Sequence, residues 1–167
     1  MTPRDIAWKW TAYGAALALI TIFNYYVLTF LPLGAVPMLL PVTAVAVGVL
    51  EGARAGAGFG IAAGIVLAAA THGSLLWAAG LPLLGWICGL LAQYVMRRDL
   101  VGFLLASLVS QLLYELSQIL PRLAVGAALP ALLRTAAPEY LWTLVFGVPV
   151  YGLCLFCCRH YGRIYHE

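Results

Sequence analysis

Ser107, Gln111, Tyr114, Glu115 and Gln118 recur at steps of three and four through a stretch that is otherwise Leu, Val, Ile and Ala. On a helix that spacing gathers them into one stripe, because residues three and four apart share a face. Glu115 is the only acid well inside an apolar segment. A carboxyl is costly to turn toward lipid, so it is expected to face other helices, a cavity or a partner. Two roles fit it equally: a neutral carboxyl hydrogen-bonded to a neighbouring helix as glue, and a contact for a ligand or partner. A third role, proton coupling in a transporter or channel subunit, lacks a second intramembrane acid to work with.

Cys154, Cys157 and Cys158 give a Cys-x-x-Cys spacing with His160 close behind. Zinc would need four converging ligands, and thiol redox chemistry would need a thioredoxin-like setting. The surrounding sequence offers neither, and cysteine packs readily as a small apolar residue, as Cys88 is also expected to do. His72, in the turn Thr71-His72-Gly73-Ser74, has no nucleophile or acid near it in sequence and is read as a solvated loop residue. There is no phosphate loop, zinc-protease helix or nucleophile elbow. No catalytic residue, metal ligand or cofactor site is assigned, and the chain is expected not to be an enzyme.

The elements that carry these residues follow from composition. Of 167 residues 64% are hydrophobic and 9% charged, and the mean hydropathy is +0.99. That leaves too little polar surface to cover a soluble globule. The apolar tracts are long enough for about six crossings of a bilayer, which predicts an all-α, polytopic membrane protein forming one integral membrane domain over residues 1–167. The predicted spans are Ala7 to Leu31, Met38 to Leu50, Ala55 to Ala70, Leu75 to Met96, Leu100 to Leu120 and Tyr140 to Cys158. The first is longer than a signal-peptide core and lacks a small-residue cleavage site, so it is read as a retained span.

Charge sets the expected threading. With the N-terminus inside, Arg4, Lys9, Arg54, Arg97, Arg98, Arg159 and Arg163 fall on the cytoplasmic side, and Arg122 and Arg134 fall outside. That asymmetry follows the positive-inside rule and predicts both termini in the cytoplasm. The net charge of +3 is scattered over short loops and gives no basic stripe for nucleic acid. The segment Met38 to Leu50 reaches only about 20 Å as a helix, short of a hydrocarbon core of about 30 Å. A shallow hairpin is therefore the alternative for spans two and three, with Glu51 and Arg54 neutralising each other at its turn. Pro32, Pro37 and Pro41 favour an extended approach to it. Pro121 to Pro138 is expected to be an outer connector lying along the membrane boundary, interrupted at Pro130. Trp8, Trp10, Tyr140, Trp142, Tyr161 and Tyr165 are read as interfacial anchors.

Gly48, Gly52, Gly56, Gly60 and Gly64 fall at every fourth position. Glycine is common in membrane helices, but its abundance does not explain this phase. Such a ladder strips one face of side chains and lets another helix approach closely, since association in lipid depends on packing.

The stretch Gly34-Ala-Val-Pro37-Met-Leu-Leu, followed by Gly52-Ala-Arg-Ala-Gly56, Gly60-Ile-Ala-Ala-Gly64 and Gly73, resembles the early half of MreD, the membrane subunit of the bacterial rod-shape (elongasome) machinery. The motif resemblance covers roughly residues 10 to 100, and the remainder is similar in hydropathy alone. Where that family often carries Asp, this chain has Met38 and Ala68, so no role of those acids carries over.

The resemblance implies a non-enzymatic scaffold of the cytoplasmic membrane. Its expected partner is an MreC-like single-pass protein, with cell-wall synthases and MreB engaged indirectly during peptidoglycan synthesis. MreD is also similar in fold to the substrate-binding S component of energy-coupling vitamin transporters, which is the alternative function. Ala12-x-x-x-Ala16 resembles the small-residue contact by which S components meet their transport subunit. An S component needs an outward cavity with several convergent polar groups, and a scaffold needs an exposed packing face. Apart from the Glu115 stripe the sequence is poor in such groups, which favours the scaffold.

Overall fold

The computed structural model describes residues 3–30, 35–71, 76–95 and 99–161. The described residues build an all-helical membrane-type bundle. Helix α1 (Pro3–Ile22) runs through a π-helical turn (Phe23–Val27) into a last short turn, α2 (Leu28–Phe30). There follow α3 (Leu39–Glu51), α4 (Ala53–Thr71), α5 (Leu76–Tyr94), α6 (Leu100–Ala124) and α7 (Leu129–Tyr161). Among the described residues four segments are long and apolar enough to cross a membrane: Ile6–Phe30, Ala53–Ala70, Leu100–Ala124 and Leu129–His160. Two apolar helices are shorter, Leu39–Glu51 and Ala78–Tyr94.

The shortest of these helices is the centre of the molecule. Every residue of α3 from Leu39 to Leu50 is buried, and α1, α4, α5, α6 and α7 all pack on it. A helix sheathed on every side meets protein instead of lipid, so its length need not match the hydrocarbon core. Its buried N-terminus still has backbone donors to satisfy. Two come from distant helices: Met38 N–H donates to Thr143 Oγ1 at 3.1 Å, and Leu39 N–H to Asn24 Oδ1 at 3.1 Å. Pro41, in the first turn, has no N–H to satisfy and is tolerated there.

Contacts between helices fix their directions. Lys9 meets Glu51 and Asn24 meets Leu39, so α1 and α3 run antiparallel. Gly56 lies against Gly48 and Gly85, Gly89 against Ala53, and Gly60 against Leu81, so α4 runs antiparallel to both α3 and α5. Gly147 reaches Val42 and Phe103, while Tyr140 Oη donates to the Leu108 carbonyl at 3.2 Å. Thus α7 runs parallel to α3 and antiparallel to α6. Direction alternates through the whole series, which places Lys9 and the end of α7 at one end of the bundle.

A single residue makes the bend between α3 and α4. Gly52 has φ 93° and ψ 177°, and its N–H closes α3 on the Gly48 carbonyl at 2.9 Å. Only glycine adopts that backbone readily. The α3–α4 pair is thus a tight antiparallel hairpin, a geometry shared by a shallow re-entrant pair and by two full crossings. The far connector differs from expectation. Pro121 to Pro138 is mostly helix: α6 runs through Pro121 to Ala124, and α7 begins at Leu129. Between them Ala127 N–H bonds Arg122 O at 3.0 Å and Gly126 N–H bonds Leu123 O at 2.9 Å, with Gly126 at φ 90°. These two bonds form a Schellman stop. Pro130 does not interrupt α7, because in the first helical turn its missing N–H has no intrahelical acceptor to lose.

Candidate functional site

The α6 stripe turns inward. Ser107, Gln111, Tyr114 and Glu115 are buried, together with Ser110, and Gln118 is half-buried. The opposite face of α6 carries exposed Val101, Leu105, Val109, Leu112, Leu116 and Leu120. This division follows the helical period, with polar residues inside and apolar residues outward. Tyr114 lies within electrostatic reach of Tyr25, Glu115 and Glu139, which joins α6 to the π turn and to α7. Glu115 lies within reach of Arg122, one to two turns further along α6.

Hydrogen bonding within this interior is incomplete. Asn24 Nδ2, Tyr25 Oη, Ser107 Oγ, Ser110 Oγ, both amide atoms of Gln111 and Glu115 Oε1 are buried without a hydrogen-bond partner. Gln111 approaches the Glu115 carboxyl but forms no hydrogen bond of normal geometry with it. The π turn is a second contributor that the sequence pattern does not reveal. It adds a residue to the helix and turns Asn24 fully into the bundle, and such bulges recur at functional sites.

At the other end of the bundle Glu51 makes a buried ion pair with Lys9 and accepts a hydrogen bond from Tyr13 Oη at 2.6 Å. This corrects the expectation that Glu51 and Arg54 neutralise each other: Arg54 is exposed, and the carboxylate turns back toward α1. The α3–α4 bend points Glu51 inward, where a nearly dry cation is worth more than an exposed one. A cleft of about 390 Å³ opens beside it, lined by Glu51, Gly52, Ala53, Arg54, Trp86, Leu90 and Gln93.

The glycines divide by role. A Cβ on Gly48 would fall 2.4 Å from the Gly85 carbonyl oxygen, and one on Gly56 would fall 2.5 Å from that same oxygen and 2.6 Å from the Gly48 Cα. A Cβ on Gly60 would meet the Leu81 carbonyl oxygen at 2.6 Å and Pro82. Gly48 therefore sits on a different helix from Gly56 and Gly60, and all three close on α5. Gly85 and Gly89 supply the answering face, and the sequence reading passed over them although they share the four-residue spacing. Gly52 departs from the ladder: nothing lies within 4 Å of a Cβ there, and its role is the bend. Gly64 is buried on α4. Gly58, off the ladder, packs against Trp10 of α1.

All four cysteines are buried and outside any disulfide, and no group of three or more His, Cys, Asp or Glu is arranged for a metal among the described residues. His160 is exposed, with its ring against Phe156. Ala16 is buried, so Ala12-x-x-x-Ala16 does not form an outward small-residue patch. Pro32, Gly34, His72, Gly73 and Tyr165 lie outside the described residues. Trp8 and Trp10 are exposed near the start of α1, while Trp142 is half-buried against Phe146. Comparison with protein-family models, curated proteins and solved structures returns no match.

Proposed function

We propose that this protein is a non-enzymatic scaffold of the bacterial cell-elongation complex, resident in the cytoplasmic membrane and bound laterally to an MreC-like single-pass protein. In this reading all six apolar helices cross, α3 and α5 included, with both termini in the cytoplasm and cell-wall synthases and MreB engaged indirectly. The observation that carries it is where the apolar surface lies. Ile61 and Ile65 on α4, Leu105, Val109 and Leu112 on α6, and Val145 and Phe156 on α7 all face outward. The polar side chains of α6 face inward, so recognition falls to lateral helix packing. The fourfold glycine phase that underlies the MreD resemblance also falls at the junction holding α3, α4 and α5 together.

Depletion of the protein tests this reading. A scaffold of elongation leaves rod-shaped cells round or swollen with unchanged vitamin requirement. The alternative, an S component of a vitamin transporter, draws support from the polar interior of α6. It predicts a new growth requirement for one vitamin and normal cell shape.

A further inference from the structure

We propose that the half of the bundle around the π turn holds a binding site for a small uncharged molecule that presents N–H donors beside a carbonyl-type acceptor. Asn24, Ser107, Ser110 and Gln111 are each 1% exposed or less, and Glu115 is 7% exposed. Yet each has at least one buried polar atom with no partner, as does the Tyr25 hydroxyl. An unpaired buried polar group costs free energy, and inside a bilayer no bulk water stands by to repair the loss. Were these residues glue between helices, they would bond to one another or to backbone. Thr43 does so, donating to the Leu40 carbonyl at 2.7 Å, and so does Thr143, donating to the Glu139 carbonyl at 2.7 Å. Ser107, Ser110, Gln111 and Glu115 on α6 behave otherwise, whereas Tyr114 on the same stripe has an interaction partner.

The open valences define the occupant. Gln111 offers a carbonyl acceptor and an amino donor side by side, which an amide or lactam edge complements. Glu115 Oε1 adds an acceptor, the Asn24 amino group adds a donor, and the two serines serve as either. A carboxylate-bearing molecule is disfavoured, because Glu115 and Glu139 already share this region. The site stands independently of the scaffold reading, since lateral packing needs no interior ligand.

The test uses the full-length protein in detergent with nicotinamide, cytosine and thymine as probes and benzoate as the anionic control. Isothermal titration and the thermal midpoint are the readouts. Saturable binding of at least one of the three, with benzoate inert, is the expected result. Gln111→Leu removes both amide atoms at similar volume, so it is expected to fold at least as well and to bind at least tenfold more weakly. Should that variant fail to fold, Ser110→Ala is expected to weaken binding in the same assay. The proposal is overturned if none of the three probes binds at millimolar concentration, if benzoate binds as well as they do, or if the folded variant binds like the parent. Those outcomes mean that ordered water alone fills the valences. Partner capture and cell shape are untouched by either result, so the two readings fail separately.

Discussion

Alanine at Gly56 tests the three-helix junction at its tightest point. The new methyl carbon would sit 2.5 Å from the Gly85 carbonyl oxygen and 2.6 Å from the Gly48 Cα, where ordinary contact begins at 3.4 Å. The shortfall is about 0.9 Å against two pieces of backbone on two different helices. No side-chain rotation relieves it, so α3 or α5 must move away from α4. Displacing packed helices for one extra methyl costs about 1 to 3 kcal/mol. This variant belongs near the top of that range because both obstacles are main chain. Helix propensity acts in the opposite direction, favouring alanine over glycine by up to about 1 kcal/mol. Gly152→Ala isolates that opposing effect, since Gly152 is exposed and has nothing within 4 Å of its missing Cβ. The four buried cysteine thiols supply the assay: a thiol-reactive fluorogenic maleimide reports their exposure as purified protein is heated in detergent. Gly56→Ala is expected to unfold several degrees below the parent and Gly152→Ala at or above it. Equal midpoints for the two variants would refute the close-approach argument.

Other substitutions probe the remaining joints. Gly52→Ala meets no atoms but must hold φ near 93°, so it is expected to lose about 1 to 3 kcal/mol in the same thermal assay. Lys9→Met strands the buried Glu51 carboxylate and is expected to cost up to about 3 to 5 kcal/mol, most of which Glu51→Gln in the same chain should restore. Arg54→Met should leave the midpoint near that of the parent, because Arg54 is exposed. Reporter fusions after Asp99 and at the C-terminus should read cytoplasmic, and fusions near Gly73 and Gly126 external; a cytoplasmic signal at Gly126 would break the six-crossing arrangement.

Hydropathy and helical period carry far in this chain. The tracts read as spans correspond to α1–α2, α3, α4, α5, α6 and α7, and the α6 stripe reads directly from steps of three and four. What escapes the sequence is non-local. Arg54 lies three residues from Glu51, yet the carboxylate pairs with Lys9 on another helix, because the one-residue bend at Gly52 reorients the end of α3. Periodicity presents Gly48 to Gly64 as one ladder, whereas the bend splits it between two helices. Gly85 and Gly89 could have been found, since Gly-x-x-x-Gly on α5 mirrors the pattern on α4. The π turn leaves no compositional mark, so Asn24 and Tyr25 emerge only in three dimensions. Pro130 was misleading because a proline in the first turn of a helix forfeits no intrahelical hydrogen bond.

Affinity capture of the tagged full-length protein from gently solubilised bacterial membranes measures the central claim most directly. The scaffold account predicts recovery of an MreC-like single-pass protein at near-stoichiometric yield, unaffected by substitutions in the α6 interior and reduced by polar substitutions on the outward apolar faces. Recovery of the subunits of an energy-coupling transporter, with no MreC-like protein present, would contradict it.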